Sequence, residues 1–258
     1  MKVTYIDHMG SDLSVVNAAR VSFGKQSSWA NADRAVEYPG ITKQLKEADQ
    51  RLIQFLARGC TTGDWEKVLD NLQDLTGWGF KTCEVTDLLN HVRRMPTHWT
   101  PFGHTAITLH IKAPIFVARQ LGKHQVGMVW NEVSRRYVTS EPEFYEPEVW
   151  RKAAENVKQG SNDEPIDASE YNPAYLYSAM LHSYRKALDY GVCPEQARMI
   201  LPQSMYTEWY WTGNLYSFAN VYIQRTDSHA QREVQEVARQ IGKIVGPHFP
   251  VSWEALTK

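Results

Sequence analysis

Apolar residues alternate with polar ones in some segments of the chain and recur at helical spacing in others. Alternation in Thr105–Lys112 (TAITLHIK) predicts a half-buried strand that ends at Pro114, and Val3–Asp7 and Tyr206–Trp211 predict two more strands. Helical spacing predicts helices at Leu13–Val21, 47–58, Ile115–Leu121, Ala174–Tyr190, Glu195–Leu201, Tyr216–Arg225 and Ala230–Val245. The chain is therefore expected to be a mixed α/β protein.

Local signals set several of the expected element boundaries. Gly59 is expected to end the helix over 47–58, and Ser228 with Gln231 has the spacing of a capping box for the last helix. The polar run Glu155–Asn172 predicts a surface loop. Two further helical patterns within 62–97, separated by glycines, indicate an inserted helical segment.

Length and composition limit the possible classes of protein. We expect one domain over residues 1–258, because no repeat of roughly 20–50 residues divides the chain. Three cysteines without C-x-x-C spacing favour a reducing compartment, so we expect a cytoplasmic protein. If the protein is viral, the expected location is the host cytoplasm. No apolar run approaches the ~18–20 residues that span a bilayer, so no membrane partner is expected. The formal charge of −1 gives no global field that would hold a nucleic acid.

The densest polar cluster is Arg119–Tyr137 (RQLGKHQVGMVWNEVSRRY). Its basic residues surround Asn131, Glu132 and Ser134, and this composition suits a phosphate, with the glutamate holding a sugar or base donor. A solvated helix face followed by a loop explains the same composition equally well. The residues alone leave both interpretations open.

A second polar cluster, Asn214–His229, follows Arg198 along the chain. With i, i+4 spacing, Ser217, Val221, Arg225 and His229 share one face of a continuous helix. One interpretation is a buried arginine paired with the neighbouring Asp227. The other is an arginine beside a uracil-like ring.

Other kinds of site lack support in the sequence. The nine histidines do not show the i, i+4 pairing of a helical zinc motif, so no metal site is expected. Ser134 has basic neighbours but no G-x-S-x-G elbow, and none of the cysteines has a basic setting. No G-x-G-x-x-G or G-x-x-x-x-G-K-[ST] run indicates a Rossmann or P-loop nucleotide site.

Six blocks of the sequence together resemble the flavin-dependent thymidylate synthases. They occur in the family's order, cover most of the chain and are more specific than any single motif. The blocks are DLSVVNAARVSF (Asp12–Phe23), HWTPFGH (His98–His104), KAPIFVARQ (Lys112–Gln120), NEVSRRY (Asn131–Tyr137), ARMILP (Ala197–Pro202) and RTDSHAQ (Arg225–Gln231). The resemblance implies an α+β fold with a central, mostly antiparallel sheet flanked by helices.

The chain departs from the family at its signature, Arg-His-Arg followed after about seven residues by Ser. Lys123-His124-Gln125 stands in that place, and eight residues precede Ser134. Lysine keeps the charge but loses the planar fork of arginine, and glutamine keeps hydrogen bonding without the charge. Gly103 replaces an acidic residue and Tyr216 replaces an arginine, at positions that face the flavin in the family.

The resemblance also implies which residues bind ligands. The set expected around dUMP is Gln120, Lys123, Glu132, Ser134, Arg135, Arg136, Arg198 and Arg225. The set expected around FAD is Thr100, Lys123, His124, Gln125, Glu132, Asn214, Asn220 and His229. Ser134 would bind the phosphate rather than act as a nucleophile. Arg225 would be the catalytic residue, because a cation near the uracil stabilises the N3-ionised form and increases nucleophilicity at C5.

The implied reaction is methylation of dUMP to dTMP without an enzyme nucleophile. Methylenetetrahydrofolate would supply the one-carbon unit, FADH2 the hydride, and NADPH would re-reduce the flavin. The family further implies a homotetramer whose active sites lie between subunits. Residues of the two polar clusters therefore need not meet within one chain.

Two alternatives follow from the departures at the signature. A related flavoenzyme would act on another pyrimidine nucleotide or release a hydroxymethyl product, and the altered flanks of His124 motivate this hypothesis. A non-catalytic nucleotide- or nucleic-acid-binding homologue is motivated by the loss of charged residues. Retention of Arg198 and Arg225, together with a net charge near zero, argues against the second alternative.

Overall fold

The computed structural model describes residues 1–32, 42–59, 98–154, 161–167 and 173–258. Its strands are β1 (Lys2–Met9), β2 (Ala106–Pro114), β3 (Met128–Glu132), β4 (Arg151–Ala153), β5 (Ser161–Pro165) and β6 (Tyr206–Gly213). Its α-helices are α1 (Asp12–Arg20), α2 (Glu47–Arg58), α3 (Ile115–Leu121), α4 (Pro173–Asp189), α5 (Pro194–Ala197), α6 (Leu215–Thr226), α7 (Arg232–Val245) and α8 (Pro250–Thr257). Short 3-10 helices lie at Val21–Phe23, Thr100–His104, Arg198–Ile200 and Gly246–His248.

Four strands form one antiparallel sheet in the order β1-β2-β6-β3. In the β3–β6 pair, Trp130 lies opposite Trp211 and Glu132 lies opposite Trp209. The alternation expected in β2 is present, because every second side chain from Ile107 onward is buried. The predicted α/β fold, with a mostly antiparallel sheet flanked by helices, is confirmed.

The chain divides into two compact units. The first consists of Met1–Asp7, Thr108–Gly213 and Asn220–Ile244, and the second of His8–Ile107, Asn214–Ala219 and Val245–Lys258. The core of the first unit contains fully buried side chains from β2, β6 and α7, namely Leu109, Ile111, Trp211, Val237 and Ile241. The expectation of a single domain over residues 1–258 stays a prediction.

The second unit is held together at the ends of its helices. The carboxylate of Asp12, at the start of α1, accepts hydrogen bonds from the backbone N–H groups of Val251 at 3.0 Å and Ser252 at 2.9 Å. These groups belong to the first turn of α8, whose N–H groups have no partner within the helix. Arg58 of α2 donates from Nε to the carbonyl oxygen of Ala255 at 3.2 Å. A side chain far away in sequence thus caps the last helix.

Most predicted elements are confirmed within a few residues, and two predictions need correction. Ser161–Pro165, predicted as loop, pairs with β4 as an antiparallel strand, because this backbone pairing outweighs its polar composition. The capping box at Ser228 does not form, since α7 begins at Arg232. Sequence patterns also missed β3 and α8. The inserted helices predicted in 62–97 lie outside the described residues.

In the part of the chain that the structure describes, no helix has the length and apolar character needed to cross a membrane.

Candidate active site

Three residues that were expected to bind ligands, Gln120 and Arg225 around dUMP and His124 around FAD, meet in the first unit. Arg225, in the last turn of α6, donates from Nε to Nε2 of His124 at 2.9 Å. Its Nη2 donates to the backbone carbonyl oxygen of Gln120 at 3.1 Å. Gln120 lies near the end of α3, and His124 follows in the turn that leads to β3. Residues at and just after the end of α3 therefore hold the guanidinium at the end of α6.

The interpretation of Arg225 as the partner of Asp227 is wrong. Asp227 instead accepts hydrogen bonds from the backbone N–H of His229 at 2.8 Å and lies 2.9 Å from Nδ1 of the same residue. These two contacts lower the pKa of the Asp227 carboxyl. Asp227 therefore stabilises the turn that contains His229, and Arg225 binds His124 and Gln120 instead.

Burial changes the titration of the Arg225–His124 pair. Partial burial of the imidazole lowers the pKa of His124, and the positive charge of Arg225 lowers it further. Burial also lowers the pKa of Arg225, although an arginine stays charged at any physiological pH. The pair thus consists of a cationic guanidinium and a neutral imidazole at neutral pH.

A cavity of about 900 Å³, here called the arginine cavity, opens beside Arg225. It brings together four residues predicted from the sequence, Gln120, Lys123, Arg225 and His229. It is also lined by Arg151 and Gln231, neither of which was predicted to bind a ligand. With Lys123, Arg151 and Arg225 facing one carboxylate, that of Asp227, the lining suits an anionic ligand.

Arg151 is held in this cavity by an ion pair. Its Nη2 lies 2.9 Å from Oε1 of Glu233, and the two side chains are only 15% and 10% exposed. The partner is 82 residues away in sequence, so no local spacing could have indicated the pair. Gln231 lies within the RTDSHAQ block, which was the one available signal for its place in the site.

A second cavity of about 780 Å³, here called the histidine cavity, lies on the other side of the signature residues. It collects four of the residues expected to contact FAD, and its lining includes Lys123, His124, Gln125 and Glu132. Met128, Trp130 and Ala118 add apolar surface. Lys123 lines both cavities, and its contact with both ligands stays a prediction.

Two residues that line the histidine cavity, Trp130 and Glu132, contact side chains of β6. Trp130 of β3 stacks on Trp209 of β6, with ring centroids 4.2 Å apart and an interplanar angle of 17°. Glu132 accepts hydrogen bonds from Thr207 Oγ1 at 2.5 Å and from Trp130 Nε1 at 3.2 Å. The sheet therefore holds this carboxylate in place. The interpretation of Arg119–Tyr137 as a helix face with a loop is wrong to the extent that the segment contains β3.

Three of the residues expected around the phosphate, Ser134, Arg136 and Arg198, form a third group together with Glu195. Ser134 Oγ accepts from the backbone N–H of Arg136 at 3.3 Å and from its Nε at 3.5 Å. Arg136 Nη1 lies 3.7 Å from the carboxylate of Glu195, and Arg198 Nε donates to the Glu195 carbonyl oxygen at 3.3 Å. Arg135 donates to the backbone carbonyl of Ser140. These residues are not among those that line either cavity of the same chain.

Two residues expected to contact FAD belong to the second unit. Thr100 lines a cavity of about 810 Å³ in that unit, together with Phe23, Phe55 and His98. Asn214 precedes α6 and accepts from the backbone N–H of Ser217 at 2.9 Å and from its Oγ at 3.0 Å, which makes it the cap of that helix. Asn220 is the remaining residue of the set and lies within α6 in the first unit.

Comparison with known proteins identifies the family. The model of the thymidylate synthase complementing protein matches residues 4–251. The chain belongs to this family. Among relatives of this family, the flavin-dependent thymidylate synthase of Thermosipho melanesiensis is 34% identical over 257 residues, covering 98% of this chain and 89% of that protein. The enzyme of the same name from Thermus thermophilus is 33% identical over 256 residues, covering 98% and 74%.

Solved structures are similar over almost the whole chain. The UMP/dUMP methylase PolB from Streptomyces cacaoi, bound with 5-Br dUMP, aligns with a TM-score of 0.68 and 28% identity, covering 99% of this chain and 94% of that one. The same methylase bound with 5-Br UMP aligns with a TM-score of 0.69 and 25% identity, covering 99% and 93%. The fold expected from the six sequence blocks is confirmed.

Proposed function

We propose that this protein is a flavin-dependent thymidylate synthase that methylates C5 of dUMP to form dTMP. Methylenetetrahydrofolate is the one-carbon donor and NADPH the reductant. The observation that carries the proposal is Arg225, fixed by His124 and Gln120 beside a cationic cavity. Family membership supplies the context in which this arginine has a chemical role.

Arg225 acts on the nucleotide through its charge. A guanidinium has five N–H donors, and the bonds to His124 and Gln120 use two of them. The others have no partner among the described residues and are available to a uracil carbonyl or to N3. A fixed cation at that place stabilises the negative charge that develops on the ring as C5 attacks the one-carbon unit. No serine or cysteine nucleophile is required.

The histidine cavity fits a flavin. It combines apolar and aromatic surface from Met128 and Trp130 with the polar groups of Lys123, His124 and Gln125, which is the composition that binds a planar heteroaromatic ring. When bound, the reduced flavin supplies the hydride that completes the methyl group. Lys123, which lines both cavities, would contact flavin and nucleotide together.

The phosphate of dUMP would be held by Ser134, Arg135, Arg136 and Arg198. Because these residues do not line the arginine cavity, we propose that another copy of the chain supplies them to the same active site. A homotetramer in the cytoplasm remains the expected assembly and location.

The decisive experiment is an anaerobic reaction of the purified protein with FAD, NADPH, methylenetetrahydrofolate and an equimolar mixture of dUMP and UMP. Mass spectrometry of the nucleotides should show dTMP. A product methylated on UMP instead would favour the second candidate function, which is motivated by the UMP/dUMP methylases of similar structure. A hydroxymethyl product would indicate altered chemistry. Absence of any new nucleotide, together with no FAD uptake, would contradict catalysis.

A further inference from the structure

We propose that His124 is the positioning residue of Arg225: its Nε2 lone pair holds the guanidinium in place for the substrate, and protonation of the ring releases it. The resemblance assigned His124 to FAD, whereas the structure bonds it directly to the catalytic arginine. The inference rests on the proposed function insofar as Arg225 faces the nucleotide.

The direction of the hydrogen bond fixes the form of the imidazole. Arginine has only donors, so Nε2 of His124 must accept and must carry no proton. The proton of the neutral ring therefore lies on Nδ1. A second anchor, the backbone carbonyl of Gln120, takes an N–H of Nη2 at 3.1 Å. Two acceptors at different atoms of one planar group define its plane, which neither would do alone.

The charges around His124 keep it in this neutral form. Arg119 of α3, Lys123 of the following turn and Arg225 of α6 are cationic, and Glu132 of β3 is the only carboxylate among the residues lining the histidine cavity. Glu132 is already engaged by Thr207 and Trp130. Burial and the charge of Arg225 lower the pKa of His124, as expected for an imidazole among cationic groups. A protonated ring would direct an N–H at the guanidinium and add a second positive charge.

The pair can be tested without nucleotide, flavin or turnover. In the full-length protein labelled with 15N-histidine, the Nε2 resonance of His124 should have the shift of an unprotonated acceptor at neutral pH. In Arg225→Met the pKa of His124 should rise, because a cation and a donor have been removed. The substitution His182→Gln, on an exposed residue of α4, assigns a control resonance and should leave the His124 titration unchanged. An unchanged pKa of His124 in Arg225→Met would overturn the proposal.

Nucleotide binding then tests the positioning role. His124→Gln keeps an acceptor near the place of Nε2 but cannot be protonated, whereas His124→Leu has no acceptor. As the pH falls through the pKa of His124, the dissociation constant for dUMP should increase more steeply in the wild type than in His124→Gln, because the phosphate of dUMP, with a second pKa of about 6, titrates equally in both. In His124→Leu it should be about tenfold larger than in the wild type at neutral pH, as expected when a charged group loses one hydrogen bond, and this difference should shrink below the pKa of His124.

Equal dUMP affinity in His124→Leu and the wild type would contradict the positioning role. Failure of the proposed function has a different signature: no dUMP binding and no nucleotide product, with the coupling of the His124 pKa to Arg225 still present. A histidine that served only the flavin would leave the dUMP dissociation constant independent of residue 124 when FAD is omitted.

Discussion

Replacing Ser134 with alanine distinguishes a phosphate-binding serine from a nucleophile. In the structure the Ser134 hydroxyl accepts from two nitrogens of Arg136, and arginine cannot act as a general base because it stays protonated. The hydroxyl therefore has the surroundings of a binder. Ser134→Ala removes one hydrogen bond to a charged phosphate at a partly exposed position, which costs about 1–2 kcal/mol. This corresponds to a dUMP dissociation constant roughly 5–30-fold larger.

The assay measures both the dUMP dissociation constant, by titration of the FAD-loaded enzyme, and kcat at saturating dUMP. The rate constant should change little, since the serine contributes equally to the ground state and the transition state. Ser140→Ala is the matched control, because Ser140 is exposed and contributes its backbone carbonyl, not its hydroxyl, to Arg135. Complete loss of turnover at unchanged dUMP affinity would refute the reasoning and make Ser134 a nucleophile.

Three further perturbations test other parts of the structure. Glu195→Gln should tighten dUMP binding by up to about fivefold at low salt, because an exposed carboxylate that competes for Arg136 is neutralised; equal or weaker binding at low salt would contradict this competition. Gly242→Ala should lower the free energy of unfolding by about 1–3 kcal/mol in a urea titration, although alanine normally favours a helix, because the new Cβ would lie 2.5 Å from the Tyr222 ring; a gain in stability would show that the ring moves away freely. Burial raises the pKa of Asp12 above 3.8. The folded state therefore binds this proton more tightly than the unfolded chain, and the free energy of unfolding should fall as the pH rises from 3.8 through the pKa of the folded state. Thermal unfolding across the acid range should show this fall in the wild type and not in Asp12→Asn, and parallel curves would contradict the assignment.

The elements that the sequence predicted well are those whose signals are local. The alternation in β2 and the glycine after α2 are readable from a few neighbouring residues, and Gly59 indeed adopts φ 73° at the end of that helix. The elements that were missed depend on pairing or capping partners outside the segment itself. β5 (SNDEP) is a strand because it pairs with β4 a few residues earlier, and α8 starts where Asp12, 239 positions earlier, accepts from Val251. The pattern of apolar residues within each segment indicates neither partner.

In the candidate site, too, local signals predicted less than contacts with other parts of the chain determine. The geometry of the site also explains why an altered signature is compatible with the chemistry. The helix predicted to carry Arg225 and His229 on one face ends at Thr226, before His229. The partner of Arg225 is His124, 101 residues away, instead of the nearby Asp227. Of the two anchors of Arg225, one is the ring of His124 and the other is a backbone carbonyl. Neither anchor involves the side chains of Lys123 or Gln125, which replace the two arginines of the family. The departures therefore alter the lining of the cavities while the arrangement that orients Arg225 is kept, and this favours methylation of a uracil nucleotide over a loss of catalysis.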